Sequence, residues 1–187
     1  MKIILASNSP RRQELLKGLD VDFRVEVKKG IDESYPEDMP INQVPEYLSM
    51  KKASAYEIGD DELLLTADTL VILDGKALGK PKDASQAKEM LRSLSGKTHQ
   101  VITGVSFTTK DRQHHFSVST DVTFKQLSDE EIDYYITNYK PFDKAGSYGI
   151  QEWIGYIGVT SLHGSYFNVM GLPVQRIYEE LKREGFM

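Results

Sequence analysis

The sequence predicts an α/β protein with a mixed, partly antiparallel sheet. Strand-like segments alternate with helical segments along the chain, which is typical of strands joined by helices. Other strand-like segments follow one another through short polar turns, which is typical of antiparallel hairpins. Asp74-Gly75 and residues 110–115 are such turns. Both kinds of connection in one chain indicate a mixed sheet.

Composition restricts the classes of protein. The chain has 187 residues, 40% of them hydrophobic, which suits one domain or two lobes that share a core. It has no cysteine, which excludes disulfides, thiolate metal sites and a cysteine nucleophile. The formal net charge of −5 argues against a general nucleic-acid binder. No apolar run reaches the ~18 residues of a membrane span and no signal peptide is evident, so we expect a cytoplasmic protein without a membrane partner.

Hydrophobic periodicity and turn residues divide the chain into elements. We predict strands over residues 3–6, 21–27, 63–73, 76–78, 101–107 and 116–124. We predict helices over residues 10–19, 42–56, 84–94, 129–139 and 174–181, with caps at Ser9, Asn42, Asp83 and Ser128. Residues 30–40, 144–151 and 164–173 are predicted loops, and the last two are rich in glycine. Their glycines suit close approach to a ligand or simply turns with positive φ.

The first loop predicts an anion site. Ser9 suits a helix N-cap and Pro10 suits the first helical position. The N–H groups of the opening turn would then face the loop that contains Ser7, beside Arg11 and Arg12. The alternative is that Ser9 and Pro10 only begin a helix and that both arginines are solvated.

An aspartate interrupts the most apolar segment. Residues 63–73 are almost all apolar, as in a strand buried on both faces, yet Asp68 lies at their centre. Removing a carboxylate from water costs several kcal/mol unless a cation, a metal or strong donors compensate it. We therefore predict a partner for Asp68. The alternative is a kink at which Asp68 caps a backbone turn.

Two lysines are candidate partners of Asp68. Lys52 lies on or beside the apolar stripe of a predicted helix, where a lysine either reaches out to water or meets a buried anion. Lys80 comes after the Asp74-Gly75 turn, and Thr69 comes before it at about the same separation in sequence. A tight hairpin would therefore bring Lys80 alongside the segment of Asp68, and the two could flank one site.

The cations and carboxylates together suggest a metal and phosphate site. Mg²⁺ is typically held by one or two carboxylates, several waters and substrate phosphates. The sequence supplies that set in Arg11, Arg12, Lys52, Lys80, Glu33 and Asp68. It lacks the motifs of P-loop, dinucleotide-binding, serine-hydrolase and zincin proteins. Nothing near the paired histidines His114 and His115 is expected to complete a metal set.

Seven motifs resemble, in order, those of the Maf nucleoside triphosphate pyrophosphatases. They are residues 5–12, 52–53, 67–69, 79–83, 96–99 with 103–105, 143–151 and 168–173. The resemblance covers nearly the whole chain and departs from the family pattern at Ser49, where an alanine is usual. It implies one domain over residues 1–187, or two lobes around a central cleft. It also implies a twisted sheet flanked by helices, similar to the inosine triphosphate pyrophosphatase architecture.

The resemblance implies hydrolysis of a nucleoside triphosphate to its monophosphate and pyrophosphate with Mg²⁺ or Mn²⁺. Asp68 matches the proton acceptor for the attacking water, and Arg12, Thr69 and Gln151 match positions that mark the branch cleaving dTTP and UTP. A homodimer is a further expectation for the family. Charge that develops in water attack at the α-phosphorus would be stabilised by the metal, Lys52 and Lys80.

The residues and the resemblance together give each site residue an expected role and leave two alternative functions for the protein. The expected site has Asp68, Lys52 and Lys80 as catalytic residues, Ser7, Ser9, Arg11, Arg12, Thr69 and Gln151 as substrate-binding residues, and Glu33 and Asp68 as metal ligands. A carboxylate that binds metal tightly is a weak base, so base and ligand are competing roles for Asp68. The competing functions are a broader pyrophosphatase for modified or inosine-type nucleotides and a non-catalytic nucleotide-binding regulator of septum formation.

Overall fold

The computed structural model describes all 187 residues as a mixed α/β protein. Its strands are β1 (Lys2–Leu5), β2 (Phe23–Val25), β3 (Glu62–Leu73), β4 (Lys76–Leu78), β5 (Thr98–Thr108), β6 (Gln113–Phe124) and β7 (Val159–His163). Its helices are α1 (Pro10–Lys17), α2 (Val44–Ala53), α3 (Ala84–Leu94), α4 (Asp129–Tyr139), α5 (Trp153–Gly158), α6 (Tyr166–Met170) and α7 (Val174–Arg183). Short 3-10 turns occur at Ile41–Gln43 and Ala145–Ser147. None of the helices is both long enough and apolar enough to cross a bilayer.

The seven strands form one sheet in the order β2-β1-β3-β5-β6-β7, and β4 pairs with β3 outside this order. Strand β1 pairs in parallel with both β2 and β3. The β3–β4 and β6–β7 pairs are antiparallel. The predicted mixed sheet is confirmed.

The chain divides into two compact units. The first unit contains Met1–Thr69, Thr103–Val118 and Gly171–Met187, and the second contains Leu70–Ile102 and Ser119–Met170. The long strands β3, β5 and β6 contribute residues to both units.

The first unit confirms the predicted start of α1 and corrects that of α2. The N–H of Arg12 donates to Oγ of Ser9, so Ser9 is the N-cap, and Pro10 opens the helix. Asn42 was a wrong choice of cap. It lies within the 3-10 turn before α2, and the residue that precedes the helix makes no side-chain cap. A 3-10 turn satisfies the first N–H groups through backbone carbonyls, and a sequence pattern cannot show this.

Strand β3 is continuous over its twelve residues, which confirms the predicted strand and excludes the alternative of a kink at Asp68. Residues 63–67 and 71–73 are buried, whereas residues 68–70 are partly exposed. Asp68 therefore lies in a regular strand at a position with restricted access to water.

The second unit is built around the predicted helices α3 and α4. Asp83 caps α3 through the N–H of Gln86, and Ser128 forms a capping box with Glu131 at the start of α4. The Asp74-Gly75 hairpin is also confirmed, with φ of 50° and 76° at its two residues. The core of this unit contains Val71, Leu73, Ala87, Leu91, Leu94, Val101, Val122, Phe124, Leu127, Ile132, Tyr135, Ile136, Tyr148, Ile150 and Ile154.

Three short elements and one strand extension differ from the prediction. His114 and His115 belong to β6 and not to the preceding turn. His114 is partly buried between two exposed residues, so the strand alternation continues through the histidines, although their polarity hides it. The predicted loop over residues 164–173 contains α6, while α5 and β7 were not predicted. With five or six residues each, these elements are too short to show a helical or strand period.

Gly104 lets strand β5 approach α2 closely. A Cβ atom added to Gly104 would lie 2.2 Å from the backbone nitrogen of Glu46 and 2.3 Å from the carbonyl carbon of Pro45. Both neighbours are backbone atoms in the first turn of α2, so neither can move aside as a side chain does. The glycine therefore fixes the distance between the helix and the sheet.

Gly104→Ala should lower the free energy of unfolding by about 3 kcal/mol, because the helix must move away from the sheet. The measurement is urea denaturation followed by circular dichroism. Gly79→Ala is the matched control: it meets no atom within 4 Å, and its effect should stay within about 0.5 kcal/mol. Equal stability of the two variants would show that the close approach is absent.

Candidate functional site

Helix α2 and strand β3 meet in a register that brings Lys52 to Asp68. The hydroxyl of Thr66 donates to the carbonyl oxygen of Ser49 over 2.5 Å. Asp68 lies two residues beyond Thr66, on the same face of the strand. Lys52 lies three residues beyond Ser49, on the same face of the helix. Lys52 and Asp68 therefore face each other as Ser49 and Thr66 do, and Nζ of Lys52 lies 2.8 Å from Oδ1 of Asp68.

Asp68 has the partner that the sequence predicts for it, and of the two candidate lysines the structure shows Lys52 in that role. Their side chains are 14% and 16% exposed, so both charges have lost most of their water. Lys52 therefore does not reach out to water but pairs with a mostly buried anion, the Asp68 carboxylate. Lys52 also donates to the carbonyl oxygen of Ala67 over 3.2 Å and lies 3.4 Å from Oε1 of Glu33. Oδ2 of Asp68 makes no hydrogen bond to the protein, so one carboxylate oxygen is available to a ligand.

Arg12 ties the start of α1 to the same stretch of β3. Its guanidinium donates to the carbonyl oxygens of Gly171 (2.8 Å) and Ala67 (3.2 Å) and to the hydroxyl of Thr69 (2.8 Å). Burial lowers the pKa of Arg12, and the Asp68 carboxylate acts in the opposite direction. Three of the five N–H groups of the guanidinium are thus used within the protein, which leaves two for a ligand.

Some residues of this arrangement were not predicted as site residues. The hydroxyl of Thr103 lies 2.9 Å from that of Thr69, and the carbonyl of Ala67 accepts from both Lys52 and Arg12. A backbone carbonyl leaves no trace in a sequence pattern. Thr103 lies on β5, and its register against β3 cannot be read from either strand alone.

The first loop has the donors expected of an anion site. The N–H of Ser9 donates to Oγ of Ser7, and the Gln13 side chain donates to the carbonyl oxygen of Ser7. The two serine hydroxyls therefore shape the loop. The backbone N–H groups of Ser7 and Asn8 have no acceptor in the protein. Consecutive free N–H groups at a helix start favour an anion, and Arg11 lies in the first turn of that helix.

Neighbouring lysines of α2 hold the loop that contains Glu33. Lys51 donates to Oδ2 of Asp32 (2.8 Å) and to the carbonyl oxygen of Ser34 (2.7 Å). Asp32 also accepts from the N–H and the hydroxyl of Ser34, each over 2.9 Å. The hydrogen bond from Lys51, followed by those from Ser34, lowers the pKa of Asp32 from 3.8 to about 2. Glu33, between these residues, reaches Lys52 with a side chain that is 62% exposed.

Lys80 and Gln151 lie in the second unit. The β3–β4 ladder pairs Val71 with Leu78, which confirms the predicted hairpin register, and ends there. Lys80 is exposed and makes no ion pair. The carbonyl of Gly79 accepts from the N–H of Gly146, so the segment before Lys80 is attached to the glycine-rich loop. Oε1 of Gln151 is buried without a hydrogen-bond partner.

His114 lies close to two acids, Glu180 and Glu184. The expectation that nothing near the paired histidines completes a metal set is therefore wrong as a statement about geometry. The ligand atoms of the three side chains lie within 4.8 Å of one another. Arginines already neutralise both acids, since Arg176 and Arg183 bind Glu180, and Arg112 and Arg183 bind Glu184. Burial raises the pKa of Glu180, but the hydrogen bonds from Arg176 and His114 outweigh it, and the net shift is downward. This cluster stabilises charge within the protein, and the arginines oppose a metal ion.

The first unit therefore combines a partly buried lysine–aspartate pair with a loop of free N–H groups, on a mixed α/β scaffold. Such an arrangement suits the binding of a phosphate-type anion next to a carboxylate. Comparison with known proteins agrees: the family described as Maf-like protein matches residues 2–184. The chain belongs to this family, and the resemblance predicted from its motifs is confirmed.

Similar proteins have been named by activity. The dTTP/UTP pyrophosphatase of Phocaeicola vulgatus is 61% identical over 184 residues, covering 97% of this chain and 95% of that protein. The dTTP/UTP pyrophosphatase of Parabacteroides distasonis is 57% identical over 183 residues, with the same coverage. Among solved structures, the Ham1 protein of Staphylococcus aureus matches with a TM-score of 0.49 and 15% identity, over 66% of this chain and 72% of that chain.

Lys51→Met should raise the pKa of Asp32 from about 2 toward its ordinary value of 3.8. Because the pKa is depressed in the folded protein, the contact stabilises the loop above pH 3.8 and is lost as the pH falls through about 2. The measurement is an NMR titration of the Asp32 carboxyl carbon. Lys110→Met, which removes the partner of exposed Asp60, should leave Asp32 unchanged. An unchanged pKa in Lys51→Met would show that Lys51 does not hold this loop.

Proposed function

We propose that the chain hydrolyses nucleoside triphosphates, with dTTP and UTP favoured, to the monophosphate and pyrophosphate. The observation that carries this proposal is the mostly buried ion pair between Lys52 on α2 and Asp68 on the interior strand β3. Buried charge of this kind is costly, and it is typical of catalytic sites. The names of the relatives at 57–61% identity support the same activity.

Asp68 is the residue that we propose to act on water. Lys52 occupies Oδ1 and holds the carboxylate in place, so Oδ2 remains for the reaction. As a base, Oδ2 would accept a proton from the water that attacks the α-phosphorus. The bond between the α-phosphorus and the oxygen that bridges it to the β-phosphorus would then break, and pyrophosphate would leave with that oxygen. As a metal ligand, Oδ2 would instead help to hold the divalent ion beside the phosphate.

The residues present fit a divalent metal ion, Mg²⁺ or Mn²⁺. Two carboxylates, those of Glu33 and Asp68, converge on the same ammonium group at 3.4 and 2.8 Å. Oxygen ligands of this number are typical for Mg²⁺, which takes its other ligands from water and phosphate. Glu33 and Asp68 would hold the ion. When bound, it supplies positive charge to the phosphate oxygens.

Other residues would bind the triphosphate. The free N–H groups of Ser7 and Asn8, with Arg11, would hold phosphate oxygens, and Ser9 would keep the loop in shape. By the motif resemblance we assign Lys80 to the same substrate, where its ammonium group would neutralise phosphate charge.

Gln151 would select the base. Uracil and thymine carry a hydrogen on N3, whereas N3 of cytosine is an acceptor without one. Oε1 of Gln151 is a buried acceptor without a partner and suits that hydrogen. A pyrimidine that leaves this oxygen unpaired would bind less tightly.

Asp68→Asn should reduce pyrophosphate release from UTP by on the order of a thousandfold or more, because the amide is neither a base nor a strong metal ligand. The fold should be retained, since Asn keeps the shape of the side chain. The assay measures pyrophosphate and phosphate separately, with Mg²⁺ and with Mn²⁺, over canonical and modified triphosphates. Asp60→Asn is the control, since it removes an exposed carboxylate that also pairs with a lysine. Near-normal turnover in Asp68→Asn, or phosphate as the product, would contradict the proposal.

Gln151→Ala should reduce the preference for UTP over CTP, measured as the ratio of the two kcat/KM values. We expect a loss of about 10- to 100-fold in that ratio, which corresponds to one buried hydrogen bond. Gln113→Ala changes an exposed glutamine and should leave the ratio unchanged. Equal cleavage of UTP and CTP by the unaltered enzyme would remove the argument for Gln151.

A further inference from the structure

The side chain of Gln151 makes no hydrogen bond to the protein. Its Oε1 is buried without a partner, and its amide nitrogen has no acceptor either. A glutamine side chain has several rotatable bonds and normally needs hydrogen bonds to stay in one orientation. The backbone turn that contains Gln151 therefore sets the position from which this amide extends.

The turn around Gln151 is held by Tyr135 of α4. The Tyr135 hydroxyl accepts from the backbone N–H of Gly149 over 3.0 Å and donates to Oε1 of Glu152 over 2.8 Å. Its two partners thus flank Gln151 in sequence. The turn is also closed by its own backbone, since the N–H of Glu152 donates to the carbonyl of Gly149 over 3.0 Å.

The turn is tightly packed around this hydroxyl. A Cβ atom on Gly149 would lie 2.7 Å from Oε1 of Glu152 and 3.1 Å from Nε2 of Gln151. Lys144 lies 3.5 Å from the same oxygen of Glu152 and balances its charge. The Tyr135 side chain is fully buried, and burial raises its pKa, so the hydroxyl stays protonated and keeps donating.

We infer that Tyr135 is a positioning residue for base selection, acting through the Gly149–Glu152 turn on the amide of Gln151. This inference rests on the proposed role of Gln151. Without the hydroxyl, the Gly149 N–H and the Glu152 carboxylate lose their shared partner, and the turn is free to relax. The consequence falls on recognition of the base, while Lys52 and Asp68 keep their own contacts.

The test is Tyr135→Phe, with kcat and KM measured separately for UTP and CTP. We expect the UTP to CTP ratio of kcat/KM to fall about tenfold, through a higher KM for UTP, with CTP cleavage nearly unchanged. Tyr148→Phe is the matched control. It removes the hydroxyl of another buried tyrosine, whose partner is His99 at 2.5 Å and not the turn, and it should leave the ratio unchanged. An equal loss for both nucleotides in Tyr135→Phe would overturn the inference.

A second measurement separates this inference from the proposed function. Hydrogen exchange of the Gly149 amide, without nucleotide, should accelerate at least tenfold in Tyr135→Phe and in Glu152→Ala, which removes the other end of the contact. Unchanged exchange in both variants would overturn the inference even if UTP hydrolysis is established. An enzyme that does not prefer UTP would refute the role of Gln151, and exchange at Gly149 would still decide whether Tyr135 holds the turn.

Discussion

The ion pair between Lys52 and Asp68 is the constraint on which the first unit depends. Two opposite charges with little exposure to water are tolerated only when they meet in good geometry. That geometry requires one register between α2 and β3, which the Thr66–Ser49 hydrogen bond fixes. It also requires close contact between α2 and the sheet, which Gly104 permits. The local packing of a helix on a sheet thus sets the position of the acid.

A second set of contacts keeps this part of β3 in place. The carbonyl of Ala67 accepts from both Lys52 and Arg12, so two cations hold the backbone immediately before Asp68. Arg12 then binds the hydroxyl of Thr69 immediately after it. A carboxylate whose neighbours on both sides are fixed is held in one place, as the catalytic role that we propose for Asp68 requires.

The sequence predicted the features that follow from patterns within one segment. Ser9, Asp83 and Ser128 were identified as caps because capping residues lie at fixed positions before a helix. Asp68 was predicted to have a cation partner because its neighbours are apolar. Features that depend on contact between two distant segments could not be predicted from the sequence. The carbonyl of Ala67 and the contact of Tyr135 with Gly149 arise only when distant parts of the chain meet.

The role of the Lys52–Asp68 pair is tested most directly by a crystal structure with Mg²⁺ and the α,β-methylene analogue of UTP, whose α–β bridge cannot be hydrolysed. We expect the α-phosphoryl group to lie beside Lys52 and Oδ2 of Asp68, with phosphate oxygens on the N–H groups of Ser7 and Asn8. A triphosphate bound elsewhere, with the Lys52–Asp68 pair untouched, would contradict that role.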